Sequence, residues 1–135
     1  MRFPITIATN KPFDAVGFGL NAVDHLIVVP GYPAFDTKTR LLDYKQSAGG
    51  QTATAMVALQ RLGLKTAYAG RFGSDAAGEF GRATLKAEGV NLDFVEVVEG
   101  ATTQTAFIII DSRTGERTII WDRDDRLAYR PEDTQ

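Results

Sequence analysis

Between Gln51 and Val90 the chain switches twice between helical and extended patterning, and that alternation limits the folds open to it. Gln51–Leu62 is rich in Ala, Met, Leu, Gln and Arg, all good helix formers, and Gly63 follows as a stop. Apolar residues, among them Ala53, Met56, Val57, Leu59 and Leu62, surround most of the helix circumference, which predicts a buried helix. "KTAYAG" (Lys65–Gly70) reads as a strand, and "SDAAGEFGRATLKAEGV" as a second helix, capped by Ser74 or Asp75 and stopped at Gly89. Strand signals flank the unit at Phe13–Gly19, Val23–Val29, Phe94–Val98, Thr105–Ile110 and Arg117–Trp121, with Ser112–Glu116 as a turn. "TKTRLLDYKQS" mixes charged and apolar residues without clean periodicity and reads as an exposed strand. Strands alternating with helices, plus surplus strands, predict an α/β sheet carrying a projecting β element. No internal repeat or low-complexity segment appears.

Charge and composition exclude several classes of function. With 15 basic and 17 acidic side chains the formal net charge is -2, and no basic stripe could neutralise several nucleic-acid phosphates. The absence of cysteine removes disulfides and thiolate metal sites and suits a reducing compartment. "MRFPITIATNKPF" lacks the apolar core and cleavage site of a leader, and no apolar run approaches membrane-spanning length, so a cytoplasmic chain without membrane contact is expected.

"GFGLNA" (Gly17–Ala22) follows a strand and fits the dinucleotide fingerprint G-x-G-x-x-G/A, with Asp36 near the distance of a ribose-binding acid. That fingerprint requires a helix to start at the glycines, whereas "VDHLIVVPGYP" is β-branched and closed by two prolines. The two readings separate on whether residues 23–29 form strand or helix. No Walker A loop is present.

Asp24 sits between apolar segments, so it belongs at a strand end or in a cleft with hydrogen-bonding partners, for which polyol hydroxyls are suitable; a structural role at a turn is the alternative. Asn21, three residues earlier, falls on the opposite face of an extended strand. Gly49 and Gly50 precede the first helix and leave its initial amides uncovered, while Gln51 and Thr54 bring hydrogen-bonding side chains to its first turn. A close-packed helix start would use the same residues. His25 is the sole histidine and has no metal-ligand pattern around it, so it reads as structural. Asp122–Arg126 reads as a solvated charge run.

Four segments in order, "GFGLNAVDHLIVVPGYP", "AGGQTATAMVALQRLGLKTAYAGRFGSDAAGEFGRATLKAEGVN", "TQTAFIIID" and "GERTIIW", make the sequence resemble the N-terminal portion of PfkB-family, ribokinase-like carbohydrate kinases. The resemblance implies a ribokinase-like parallel-sheet α/β core with a β-sheet lid, its strands around residues 38–46 and 103–121. It implies that Asp24, Gly49, Gly50, Gln51 and Thr54 contact the sugar, with Asn21 a further candidate. Thr54 stands where many members of the family carry Asn, and Ala22 where ribokinases do, which argues against ribose itself. The family's D-T-x-G-A-G-D segment, whose last Asp is the catalytic base, would lie beyond residue 135, so no catalytic residue is assigned in this chain. The full-length enzyme would use ATP and Mg²⁺, whereas this chain would bind neither and would lack kinase activity alone. A non-catalytic sugar-binding or dimerising module is the alternative under the same fold. A homodimer through the lid is a further implication, since exposed lid edges need cover.

Overall fold

The computed structural model describes residues 10–130 and 133; the N-terminal segment on which the expectation about a leader rests lies mostly outside them. Two sheets divide the work. The first is parallel, with strand order β1-β4-β5, built from β1 (Ala15–Phe18), β4 (Thr66–Gly73) and β5 (Asn91–Val98). Helices α1 (Gln51–Arg61) and α2 (Ala76–Ala87) pack against one of its faces. The second sheet, order β3-β2-β6-β7, consists of β2 (Ala22–Val29), β3 (Asp43–Gly49), β6 (Thr105–Asp111) and β7 (Arg117–Asp122). This is the α/β core with a projecting β-sheet lid that the sequence pattern implies. Among the described residues no helix is long and apolar enough to cross a membrane.

Local chemistry explains the helix limits. Asp75 caps α2, its Oδ1 accepting the Gly78 amide at 2.9 Å. Gly63 and Gly89 follow the two helices at φ 88° and 83°, a left-handed turn that L side chains rarely adopt. Alternation along β4 sends Tyr68 and Phe72 into the helix-covered face, where they meet Ala53, Met56, Leu85 and Val90. Burying such an aromatic ring contributes roughly 2–3 kcal/mol. The opposite face keeps Val16, Phe18 and Phe94 exposed. There Arg71 fastens the segment after β7 to the sheet: its guanidinium donates to Glu96, Asp133 and the Ala128 carbonyl and lies 4.3 Å from the Tyr129 ring centroid.

Where the structure departs from the sequence reading is β2. The lid was expected from residues 38–46 and 103–121 alone, but β2 leaves the parallel core and becomes an inner lid strand. It pairs antiparallel with β3 and parallel with β6. Its β-branched run is long enough to bridge both partners, and a strand reading cannot say which sheet it joins. Because residues 22–29 are extended, no helix starts at Gly17 or Gly19, and the dinucleotide fingerprint lacks its phosphate-binding helix.

Tyr68 ties the core to the entrance of the lid. Its hydroxyl donates to the Gly19 carbonyl at 2.6 Å and accepts from Asn21 Nδ2 at 2.9 Å, and burial pushes its pKa up to about 12. Tyr68→Phe keeps the ring but strands two buried polar partners, so chemical denaturation should show a loss of about 1–3 kcal/mol.

Candidate functional site

Asp24 reaches the surface of a cleft because β2 alternates. Val23 is fully buried beneath the sheet, while Asp24 points the other way, half-buried. No side chain or amide among the described residues hydrogen-bonds its carboxylate, which distinguishes it from Asp75, Asp111 and Asp124, each held by several donors. Burial raises its pKa, opposed in part by the adjacent His25. A carboxylate half out of water and without a protein donor is poised to accept hydrogen bonds from a ligand.

The glycine pair lies directly beside it. Register sets Ser47 opposite Asp24 and Gly49 opposite Ala22, and a Cβ on Gly49 would overlap Asp24 Oδ2. Gly50 takes φ 92° as the residue preceding α1, and a Cβ there would strike the Asn21 backbone. No side chain caps α1; the Ala53 amide donates to the Leu20 carbonyl at 3.3 Å, and among the described residues those of Gln51 and Thr52 have no acceptor and remain for solvent or a ligand. Both glycines are thus demanded by close approach, and the helix start stands next to Asp24.

A cleft of about 530 Å³ opens above this floor. Asp24, Gly50 and Gln51 line it together with Gln104, Ala106, Ile108, Ile119, Trp121 and Arg123. Arg117 lines it as well.

Of the residues singled out from sequence, Asp24, Gly49, Gly50 and Gln51 come together. Thr54 is turned from the cleft: it lines a second cavity between β3, α1 and α2, with Arg61 and Glu88, which Gly49 borders from its other side. Three residues along a helix is still a rotation of about 60°, enough to carry a side chain round the edge of the cleft. Asn21 is 6% exposed and turned inward, its Nδ2 donating to Tyr68 Oη and the Arg71 carbonyl, while its buried Oδ1 has no partner. It braces the turn that delivers Asp24. His25 takes the structural place expected of it, Nδ1 2.7 Å from the Tyr44 hydroxyl and the ring stacked on Phe107, on the lid face away from the cleft.

Trp121 and Arg123 were missed. The signal was available, since alternation along Arg117–Arg123 puts Arg117, Ile119, Trp121 and Arg123 on one face. What it lacked was the pairing that turns this face toward Asp24. The charge run is also more ordered than a solvated loop: Asp124 accepts from the amides of Thr102 and Arg126 and pairs with the Arg126 guanidinium.

Two consequences are measurable. Gly49→Ala should leave the fold intact but push the Asp24 carboxylate aside, visible as altered Asp24 side-chain carbonyl shifts by NMR with an unchanged amide pattern in the core. Because the folded-state pKa of Asp24 lies above 3.8, the native state holds its proton more tightly than the unfolded chain, and stability falls as pH rises through the window just above 3.8. Asp24→Asn should abolish that component and melt at the same or a higher temperature at pH 7.

The family profile "pfkB family carbohydrate kinase" matches residues 14–135. The chain is 31% identical to 5-dehydro-2-deoxygluconokinase 1 of Bacillus cereus over 110 residues, which cover 81% of this chain and 32% of that protein. Over 99 residues it is 29% identical to a nucleoside kinase of Methanothermobacter thermautotrophicus, covering 73% of this chain and 32% of the relative. It superposes on the Arabidopsis thaliana ribokinase complexed with ribose and ATP at TM-score 0.70 and 27% identity, over 79% of this chain and 35% of that one. The chain therefore spans about a third of the length of the curated relatives it matches.

Proposed function

Because the chain belongs to the pfkB family of carbohydrate kinases, we propose that residues 1–135 form the acceptor-sugar site and lid of a phosphotransferase acting on a sugar hydroxyl. The observation that carries this reading is the unpartnered Asp24 carboxylate beside the uncapped, glycine-lined start of α1. The carboxylate accepts from sugar hydroxyls, the Gln51 and Thr52 amides and the Gln51 side chain donate to them, and the lid strands exclude water from the far side. Thr54 is proposed as a support of the helix start rather than a direct sugar contact, given the cavity it lines.

Catalysis of phosphoryl transfer is mostly positioning and charge stabilisation. The part proposed for this chain is the first: holding one hydroxyl in a fixed direction. ATP and Mg²⁺ are the proposed donor pair for the full-length enzyme, supported by the ATP bound in the related ribokinase. Among the described residues no three His, Cys, Asp or Glu side chains gather at one point. The contribution proposed for these residues is confined to binding and orienting the acceptor.

Titration calorimetry with glucose, fructose, ribose and adenosine tests the sugar site. At least one sugar should bind, and Asp24→Asn should weaken it about tenfold or more, the scale of losing hydrogen bonds to a charged group. Binding should also weaken as pH falls toward the raised Asp24 pKa. Failure of every sugar to bind overturns the reading. Residues 1–135 with ATP–Mg²⁺ should yield no phosphorylated sugar, and turnover by that segment would refute the assigned division of labour.

A second copy of the lid is proposed as the cover for its outer face, where Tyr44, Phe107 and Ile120 are exposed. Sedimentation should show a dimer, and Phe107→Glu should return it to monomer.

A further inference from the structure

Register places three residues of the lid sheet in one cross-strand row: Asp24 on β2 pairs with Ala106 on β6, which pairs with Trp121 on β7. All three line the cleft. With strands about 4.8 Å apart, the backbones of Asp24 and Trp121 stand about 10 Å from each other, and only a methyl group lies between them. Trp121 is 64% exposed, and its indole forms no hydrogen bond or aromatic pair among the described residues. A large flat apolar surface therefore stands in the same cleft as a bare carboxylate, two strands along the row from it. Ile108 and Ile119 extend the apolar wall away from Asp24, whereas Gln51 and Gln104 accompany the carboxylate toward the helix start.

We propose that Trp121 is a specificity-determining platform for the acceptor, stacking on the C–H face of a six-membered sugar ring while Asp24 takes hydroxyls at the ring's edge. This rests on the sugar-site reading above. A pyranose with equatorial hydroxyls is amphipathic in the required sense: its rim is polar and its faces are apolar, which matches a carboxylate and an indole across a one-ring gap. Ala106 is the spacer, because any longer side chain there would occupy the ring's place. An acyclic polyol carries the same hydroxyls but offers no face, so the cleft discriminates by ring shape and not by hydroxyl count.

Trp121 is the sole tryptophan of the chain, so its fluorescence reports this site alone. The experiment titrates the full chain with glucose, sorbitol and adenosine, following Trp emission and, in parallel, heat. Glucose should change the emission and bind about tenfold more tightly than sorbitol; in calorimetry Trp121→Ala should weaken glucose about tenfold, and Trp121→Phe by no more than about threefold. Because the indole is exposed, Trp121→Ala should retain the wild-type circular dichroism. If glucose binds with silent fluorescence and Trp121→Ala binds it equally well, the platform is overturned and the sugar site stands. Adenosine binding in place of glucose, with the base quenching the indole, overturns the six-membered-ring assignment. If neither sugar nor polyol binds by either readout, the sugar site falls, and the platform with it.

Discussion

Parallel pairing of β2 with β6 is the contact on which the other features depend. It joins residues far apart in sequence and closes the lid sheet. It also fixes which residue of β6 stands beside Asp24. Side chains alternate with period two, so a slip of one residue would turn Asp24 to the outer face, put His25 into the cleft and break the row with Trp121. The register is held by burial: Val23 and Ala106 are both buried, Val29 closes the far end of β2, and a shifted strand would expose all of them or bury charge.

A second constraint is the crowding around the glycine pair. Asp24 can stand beside β3 only because Gly49 has no side chain, and the chain can turn into α1 past Asn21 only because Gly50 has none. The cost of this arrangement is a helix without a cap and a carboxylate without a donor, which a fold selected purely for stability would avoid. Asp75 shows the contrast within the same molecule. It caps its helix, accepts from Thr103 as well, and its pKa is held low by those donors against the effect of burial.

Core and site meet at Tyr68 and Asn21. Tyr68 belongs to the packed face of the parallel sheet, yet its hydroxyl holds the Gly19 carbonyl and the Asn21 amide at the point where the chain crosses into the lid. Asn21 is thus tied to the core through its side chain and to Asp24 through the backbone. Below the lid, Arg71 gathers Glu96, Asp133 and Tyr129 over the open face of the core sheet and anchors the segment that follows Arg123. The cleft is in this way clamped at both ends of its lid wall.

What the sequence by itself determined was local. Helix formers between glycine stops and β-branched runs were enough to predict α1, α2 and the α/β class, because each rests on propensity, sterics or spacing within a few residues; that Asp24 belongs beside Gly49, Gly50 and Gln51 was implied only by the resemblance of four segments to the family. Tertiary structure decided the rest: that β2 belongs to the lid, that Thr54 lies round the helix from the cleft, that Asn21 faces inward, and that Trp121 shares a cross-strand row with Asp24. Those outcomes depend on which distant strand supplies the hydrogen-bonding partner. Alternation gives a strand two faces, and only the pairing chooses which of them looks into the cleft.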